Sequence, residues 1–185
     1  MRSAIFPNAR TLTEVEYLDL GETLERIELF DGNLYMAPNP GVLHQHLRSE
    51  ILNALCQAAR RAGLDLYPSV NVRLQPGRIV IPDVVVTTKF EEELLVVDAA
   101  AVQLVCEIVS PSSAGIDRVL KAHYYATAEI PWYLTVSEQD GALRLSGRPH
   151  RGTYLAHAVA AMGEELRLTE PFPVTIDPGV LLPPV

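Results

Sequence analysis

Two stretches of the chain, RIVIPDVVV at residues 78–86 and AVQLVCEIV at residues 101–109, are apolar at almost every position. A strand with one wetted face alternates apolar and polar residues. An unbroken apolar run of strand length belongs instead to a sheet covered on both faces. The two stretches therefore predict a central sheet with other elements packed above and below it. A chain of 185 residues, 48% of them hydrophobic, has the length and apolar content for such a core.

The covering elements are legible too. Residues 12–19 read as a short helix. ERIELFDGNLYMAP reads as a hairpin turning at Asp31-Gly32. Residues 41–62 place Leu43, Leu47, Ile51, Ala54, Leu55, Ala58 and Ala62 on one helical face, with Gly63 as the C-cap. Asp65–Leu74 and Ile79–Thr87 read as strands joined by the turn signal QPGR. After the 101–109 strand come the loop SPSSAG, a helix over 116–128 and the strand IPWYLTV. Further strands follow from Ala142 to Val174. The expected fold is α/β or α+β, one domain over residues 1–185. It has a central mixed sheet flanked by helices, an N-terminal hairpin and a β-rich C-terminal tail.

Composition narrows the function classes. No apolar stretch of about 18 residues predicts a membrane-spanning helix, and MRSAIFPNARTLTEVEYL has no continuous apolar core of a secretory signal. A cytoplasmic location is expected. Cys56 and Cys106 are far apart in apolar surroundings and read as small buried hydrophobes. A net charge of −8 argues against a broad basic face for nucleic acid. It leaves room for a local groove built from Arg48, Arg60, Arg61, Arg73 and Arg78, or for scattered solvated arginines.

The anomaly lies inside the two apolar runs. Asp83 interrupts one and Glu107 the other. Strand alternation would put Asp83 on the face of Ile81 and Val85, and Glu107 on the face of Val105 and Val109. Either acid alone has an ordinary explanation, an edge position or an ion pair. Two in neighbouring buried strands repel each other unless a cation lies between them. Carboxylate oxygens are natural ligands for Mg²⁺ or Mn²⁺. In the 116–128 helix, steps of about 100° put Asp117, Leu120, Lys121, Tyr124 and Ala128 on one inner face. An ordinary ion pair at four-residue spacing is the alternative reading of Asp117 and Lys121. His44 falls within the apolar face of the first long helix, where a core or capping histidine is equally ordinary. Glu28 alternates with Arg26 and Phe30 in the hairpin strand and also fits an exposed position.

In order along the chain, IELFDGNLYMAPNPGVLHQHL, IPDVVV, CEIVSPSS and DRVLKAHYYATAEIPWYLTV resemble the Uma-type restriction endonuclease family of the PD-(D/E)XK nuclease-like superfamily. The resemblance covers roughly residues 12–140 and implies a restriction-endonuclease-like fold. It implies a Mg²⁺- or Mn²⁺-dependent phosphodiesterase centre acting on nucleic acid, most simply DNA. Asp83 and Glu107 match the motif acids, with the Ile108 carbonyl as a further metal ligand. The superfamily's usual lysine position is occupied here by Val109, and Lys121 stands where such families supply the lysine from the following helix. Glu28, His44, Asp117 and Tyr124 match supporting positions. The resemblance further implies no cofactor beyond the metal, and a homodimer suits the cutting of two strands. Two other readings stay open: a nuclease-fold binding module, and a metal-dependent hydrolase of a smaller phosphoester.

Overall fold

The structure, a computed structural model, describes residues 4–6, 11–21, 23, 25–37, 39–88, 95–110 and 116–183, with backbone alone at 4–6 and 116–118. Strand β1 (Ala4–Phe6) and the short helix α1 (Glu14–Leu18) come first. Thr13 and Glu16 cap α1 reciprocally, each side chain accepting from the other's amide. Strands β2 (Arg26–Phe30) and β3 (Asn33–Ala37) form the expected hairpin. Asp31 and Gly32 both take positive φ, 50° and 81°, the twist that a two-residue hairpin turn requires.

Helix α2 (Val42–Arg61) buries Leu47, Ile51, Leu55, Ala58 and Ala59. Leu43 and Ala62, expected on the same face, lie at its two ends and are exposed. Gly63 follows with φ 75°.

The next segment departs from expectation. The two strands read at 65–74 and 79–87 are four: β4 (Leu64–Pro68), β5 (Val72–Gln75), β6 (Arg78–Val80) and β7 (Val84–Thr88). Pro68 followed by Ser69 at φ 50° ends β4, and Ile81-Pro82-Asp83 separates β6 from β7. Proline has no amide to donate to a ladder. The two breaks meet, the Ser69 amide donating to the Asp83 carbonyl at 3.3 Å. Here the chain passes from one sheet to another.

Strands β8 (Val97–Asp98) and β9 (Val102–Val109) follow. The helix expected at 116–128 is π-wound over Ile116–Lys121 and continues as α3 (Ala122–Thr127). The SPSSAG loop beyond Ser110 lies outside the described residues. Strands β10 (Trp132–Ser137), β11 (Leu143–His150), β12 (Thr153–Ala160), β13 (Leu166–Leu168) and β14 (Val174–Ile176) complete the chain.

The strands form a sheet ordered β1-β3-β2-β6-β5-β8, a central sheet ordered β12-β11-β10-β9-β7-β4, and the β13-β14 ribbon. The central sheet is mixed: β9 and β10 are parallel, and their neighbours antiparallel. On one face Val84, Val86, Leu104, Cys106, Ile108 and Leu134 pack against α2 and the C-terminal tail. On the other, Val85, Val105 and Tyr133 pack with Tyr125 and Ala126 of α3 and with Val72 and Val80 of the first sheet. Both faces are covered, as the unbroken apolar runs require. Among the described residues, no helix is long and apolar enough to cross a membrane.

Candidate active site

Strand β9 turns Leu104, Cys106 and Ile108 toward α2, so alternation turns Glu107 toward α3 and the first sheet. Strand β7 pairs Val84 with Cys106 in the antiparallel ladder. One residue earlier, Asp83 falls beside Glu107 at the corner where the chain changes sheets. The Ile108 amide donates to Asp83 Oδ2 at 2.8 Å and fixes that corner. Asp83 and Glu107 are 1% and 2% exposed.

Two cations enter from different elements. From β2, Arg26 donates Nη1 to Asp83 Oδ1 at 2.8 Å, and its Nη2 stands 4.0 Å from Glu107 Oε2. From the end of the π-wound turn, Lys121 Nζ lies 3.0 Å from both Glu107 Oε1 and Glu28 Oε1. Glu28 Oε1 also accepts from the Ile81 amide at 2.7 Å, which ties β2 to the corner before Asp83. The Tyr125 hydroxyl donates to Glu107 Oε1 at 2.5 Å. From the first turn of α2, His44 Nε2 approaches Asp83 Oδ1 to 3.2 Å, without the alignment of a hydrogen bond.

Burial alone would raise the Asp83 carboxyl. The His44 contact, the Arg26 charge and the Ile108 amide outweigh it and hold Asp83 well below the usual carboxylate range. Burial works against the Arg26 cation, but Asp83, Glu28 and Glu107 together keep it charged. Burial pushes the Tyr125 hydroxyl up, and the nearby Glu107 and Glu28 charges push it further, so it remains a hydrogen-bond donor.

The residues singled out in the sequence are thus sorted by geometry. Asp83, Glu107, Lys121, Glu28 and His44 come together, and the Ile108 backbone touches the cluster through its amide. Glu28 is fully buried rather than exposed. The Asp117 side chain lies outside the described residues. Tyr124 does not reach the acids; its ring packs 5.7 Å from that of Phe30 and beneath the Arg78 guanidinium, 3.6 Å away. Tyr125 reaches Glu107 instead. It follows Lys121 by four residues, the spacing that shares a helical face. The projection started at Asp117 misplaced this face because it crossed a π-wound stretch with more residues per turn.

Arg26 went unread as a site residue. Its signal was the alternation Arg26, Glu28, Phe30, three side chains on one face of a strand whose Phe30 is buried. Of the arginines considered for a basic groove, Arg73 is held by Glu14 and Asp98, and Arg78 by Asp31. Arg48 bonds Ser69 Oγ at 2.8 Å.

The cluster offers a divalent metal hard carboxylate oxygens. Among the described residues, no three His, Cys, Asp or Glu side chains form a ready-made metal cage. Mg²⁺ does not need one, since it is commonly held by one or two carboxylates and keeps several waters. Glu28 Oε2 is buried with no hydrogen-bond partner among the described residues, as are Arg26 Nε and Nη2. A buried carboxylate oxygen without a partner, such as Glu28 Oε2, is one that an ion or water can satisfy. The donor set fits a hard cation held by Asp83 and Glu107.

The fold class follows from comparison with solved structures. A protein from Anabaena variabilis, described as a "putative nuclease belonging to DUF820", superposes with a TM-score of 0.70 at 16% identity. The match covers 86% of this chain and 89% of that one. At that identity the likeness is one of fold alone. The Uma2 family model, described as "Putative restriction endonuclease", matches residues 15–180, and the chain belongs to that family. No curated protein matches the chain at a significant level.

Proposed function

We propose that the protein is a metal-dependent endonuclease that hydrolyses phosphodiester bonds in DNA, using Asp83, Glu107 and Lys121. The observation that carries this reading is their convergence. Two acids from adjacent strands meet at a sheet corner, with a buried lysine amine 3.0 Å from one of them. Family membership and the shared fold support it.

Asp83 and Glu107 would hold Mg²⁺ or Mn²⁺, which when bound lowers the pKa of a water and offsets charge on the phosphate. The Ile108 amide and the rest of the corner keep Asp83 aimed at that position. Tyr125 and Lys121 engage Glu107 Oε1, while Oε2 lies 4.0 Å from Arg26 Nη2. Glu28 holds the Lys121 ammonium beside Glu107, where its charge can stabilise a phosphate that gains negative charge during attack. His44 Nε2, 3.2 Å from Asp83 Oδ1, is placed to position a water. A homodimer, with one such site per DNA strand, is the assembly that suits this activity.

The test is cleavage of plasmid and linear duplex DNA by purified protein with Mg²⁺ or Mn²⁺. Asp83→Asn and Glu107→Gln should lower the rate by at least about a hundredfold while melting cooperatively. Undiminished cleavage by both variants would refute the assignment. A panel of single-stranded DNA, RNA and small phosphoesters tests the substrate class.

A further inference from the structure

We infer that Arg26 is the resident cation of the Asp83–Glu107 pair and that a divalent metal binds only by displacing it. The inference rests on the metal-dependent reading above. Arg26 Nη1 lies 2.8 Å from Asp83 and Nη2 4.0 Å from Glu107, so the guanidinium spans the two acids. An ion held by the same two carboxylates needs the same space, because Mg²⁺ sits about 2.0–2.1 Å from its oxygens. A dication and a guanidinium also repel strongly at such separations in a buried site.

Two observations support the release of Arg26. Its guanidinium is incompletely satisfied where it stands, Nε and Nη2 being buried without hydrogen-bond partners among the described residues. It also borders a cavity of about 560 Å³, whose other walls include Gln45, Arg48, Asn71 and Ile81. A guanidinium withdrawn from Asp83 into that cavity finds polar groups and open space.

Charge balance gives the exchange its purpose. Asp83, Glu107 and Glu28 face Arg26 and Lys121. Without Arg26 and without metal, Lys121 is left as the one permanent cation among the described residues hydrogen-bonded to these buried acids. With metal bound, Arg26 is no longer needed between them. Arg26 thus stabilises the metal-free protein and lowers its apparent affinity for metal.

The experiment is calorimetric titration of the full chain with Mn²⁺, wild type against Arg26→Gln, with melting curves in EDTA and in Mn²⁺. The variant should bind Mn²⁺ at least about tenfold more tightly, since a like charge has been removed. It should melt lower in EDTA and gain more from Mn²⁺ than the wild type gains. Equal or weaker Mn²⁺ binding by the variant overturns displacement and leaves the metal site standing. Binding by neither protein overturns both. If Arg26→Gln does not fold, a wild-type crystal soaked in Mn²⁺ decides. Mn²⁺ on Asp83 and Glu107 with Arg26 withdrawn supports the exchange. The same ion with Arg26 still hydrogen-bonded to Asp83 refutes it.

Discussion

Arg73 and Lys121 each hold two carboxylates, at nearly the same distances. Arg73 reaches Glu14 and Asp98 at 2.8 Å, and Lys121 reaches Glu28 and Glu107 at 3.0 Å. Their surroundings differ. The Arg73 side chain is 30% exposed and that of Asp98 66%, while Lys121 is 5% exposed and Glu28 not at all. Around Arg73, water competes for every charge and would readily replace a lost partner. Around Lys121 burial leaves water little access to replace it. Separation alone therefore does not decide what an ion pair is worth; the cost of leaving its partner alone does.

The largest test of this contrast is Lys121→Met. It removes the buried ammonium that Glu28 and Glu107 share, leaving them the Ile81 amide, Tyr125 and the more distant Arg26, and should lower metal-free stability by about 3–5 kcal/mol in urea unfolding. A loss below about 1 kcal/mol would put the buried cluster in the same class as Arg73.

Acid titration comes next. Because folding lowers the Asp83 pKa, its contribution is present above the unfolded value of about 4 and is lost as pH falls through the folded value. In EDTA, wild-type stability should therefore decline below about pH 4, and Asp83→Asn should lack that part of the decline. Parallel curves for the two proteins would remove Asp83 from the cause.

Adjacent tyrosines sharpen the comparison further. Tyr125→Phe removes a hydrogen bond to a buried carboxylate and should cost about 1.5–3 kcal/mol. Tyr124→Phe keeps the ring beneath Arg78 and should change stability by less than about 0.5 kcal/mol. The reverse order would show that the helix presents the other face to Glu107. The smallest effect belongs to Arg73→Ala, about 1 kcal/mol or less and weaker still in high salt.

The parts of this fold that local chemistry dictates were readable from sequence. Asp31-Gly32 can hardly be anything but a tight turn, and the spacing from Leu47 to Ala58 hardly anything but a helix face. Glu107 could be placed by alternation because β9 runs unbroken from Val102 to Val109. Alternation put Asp83 on the face of Val85, which does turn toward α3 and the first sheet; what it did not show is that Pro82 breaks the strand there and leaves the acid at a corner between two sheets. Nor did any local signal assign β5 and β6 to a different sheet from β4 and β7, since that division is made by long-range pairing. Arg26 and Tyr125 were missed for related reasons. Arginine reads as a surface residue until its strand face is known to be buried. The choice between Tyr124 and Tyr125 turns on π winding that the sequence pattern does not announce.

Single-turnover cleavage of labelled duplex DNA by Lys121→Met, at Mn²⁺ concentrations shown by calorimetry to saturate the same sample, tests the hydrolytic site most directly. Lys121 is not a metal ligand in this arrangement, so Mn²⁺ should still bind. Cleavage should slow by at least about a hundredfold, the loss expected when a charge aimed at the transition state is removed. Cleavage within about threefold of the wild-type rate, with Mn²⁺ bound, would contradict the assignment of Lys121 and with it the proposed catalytic cluster.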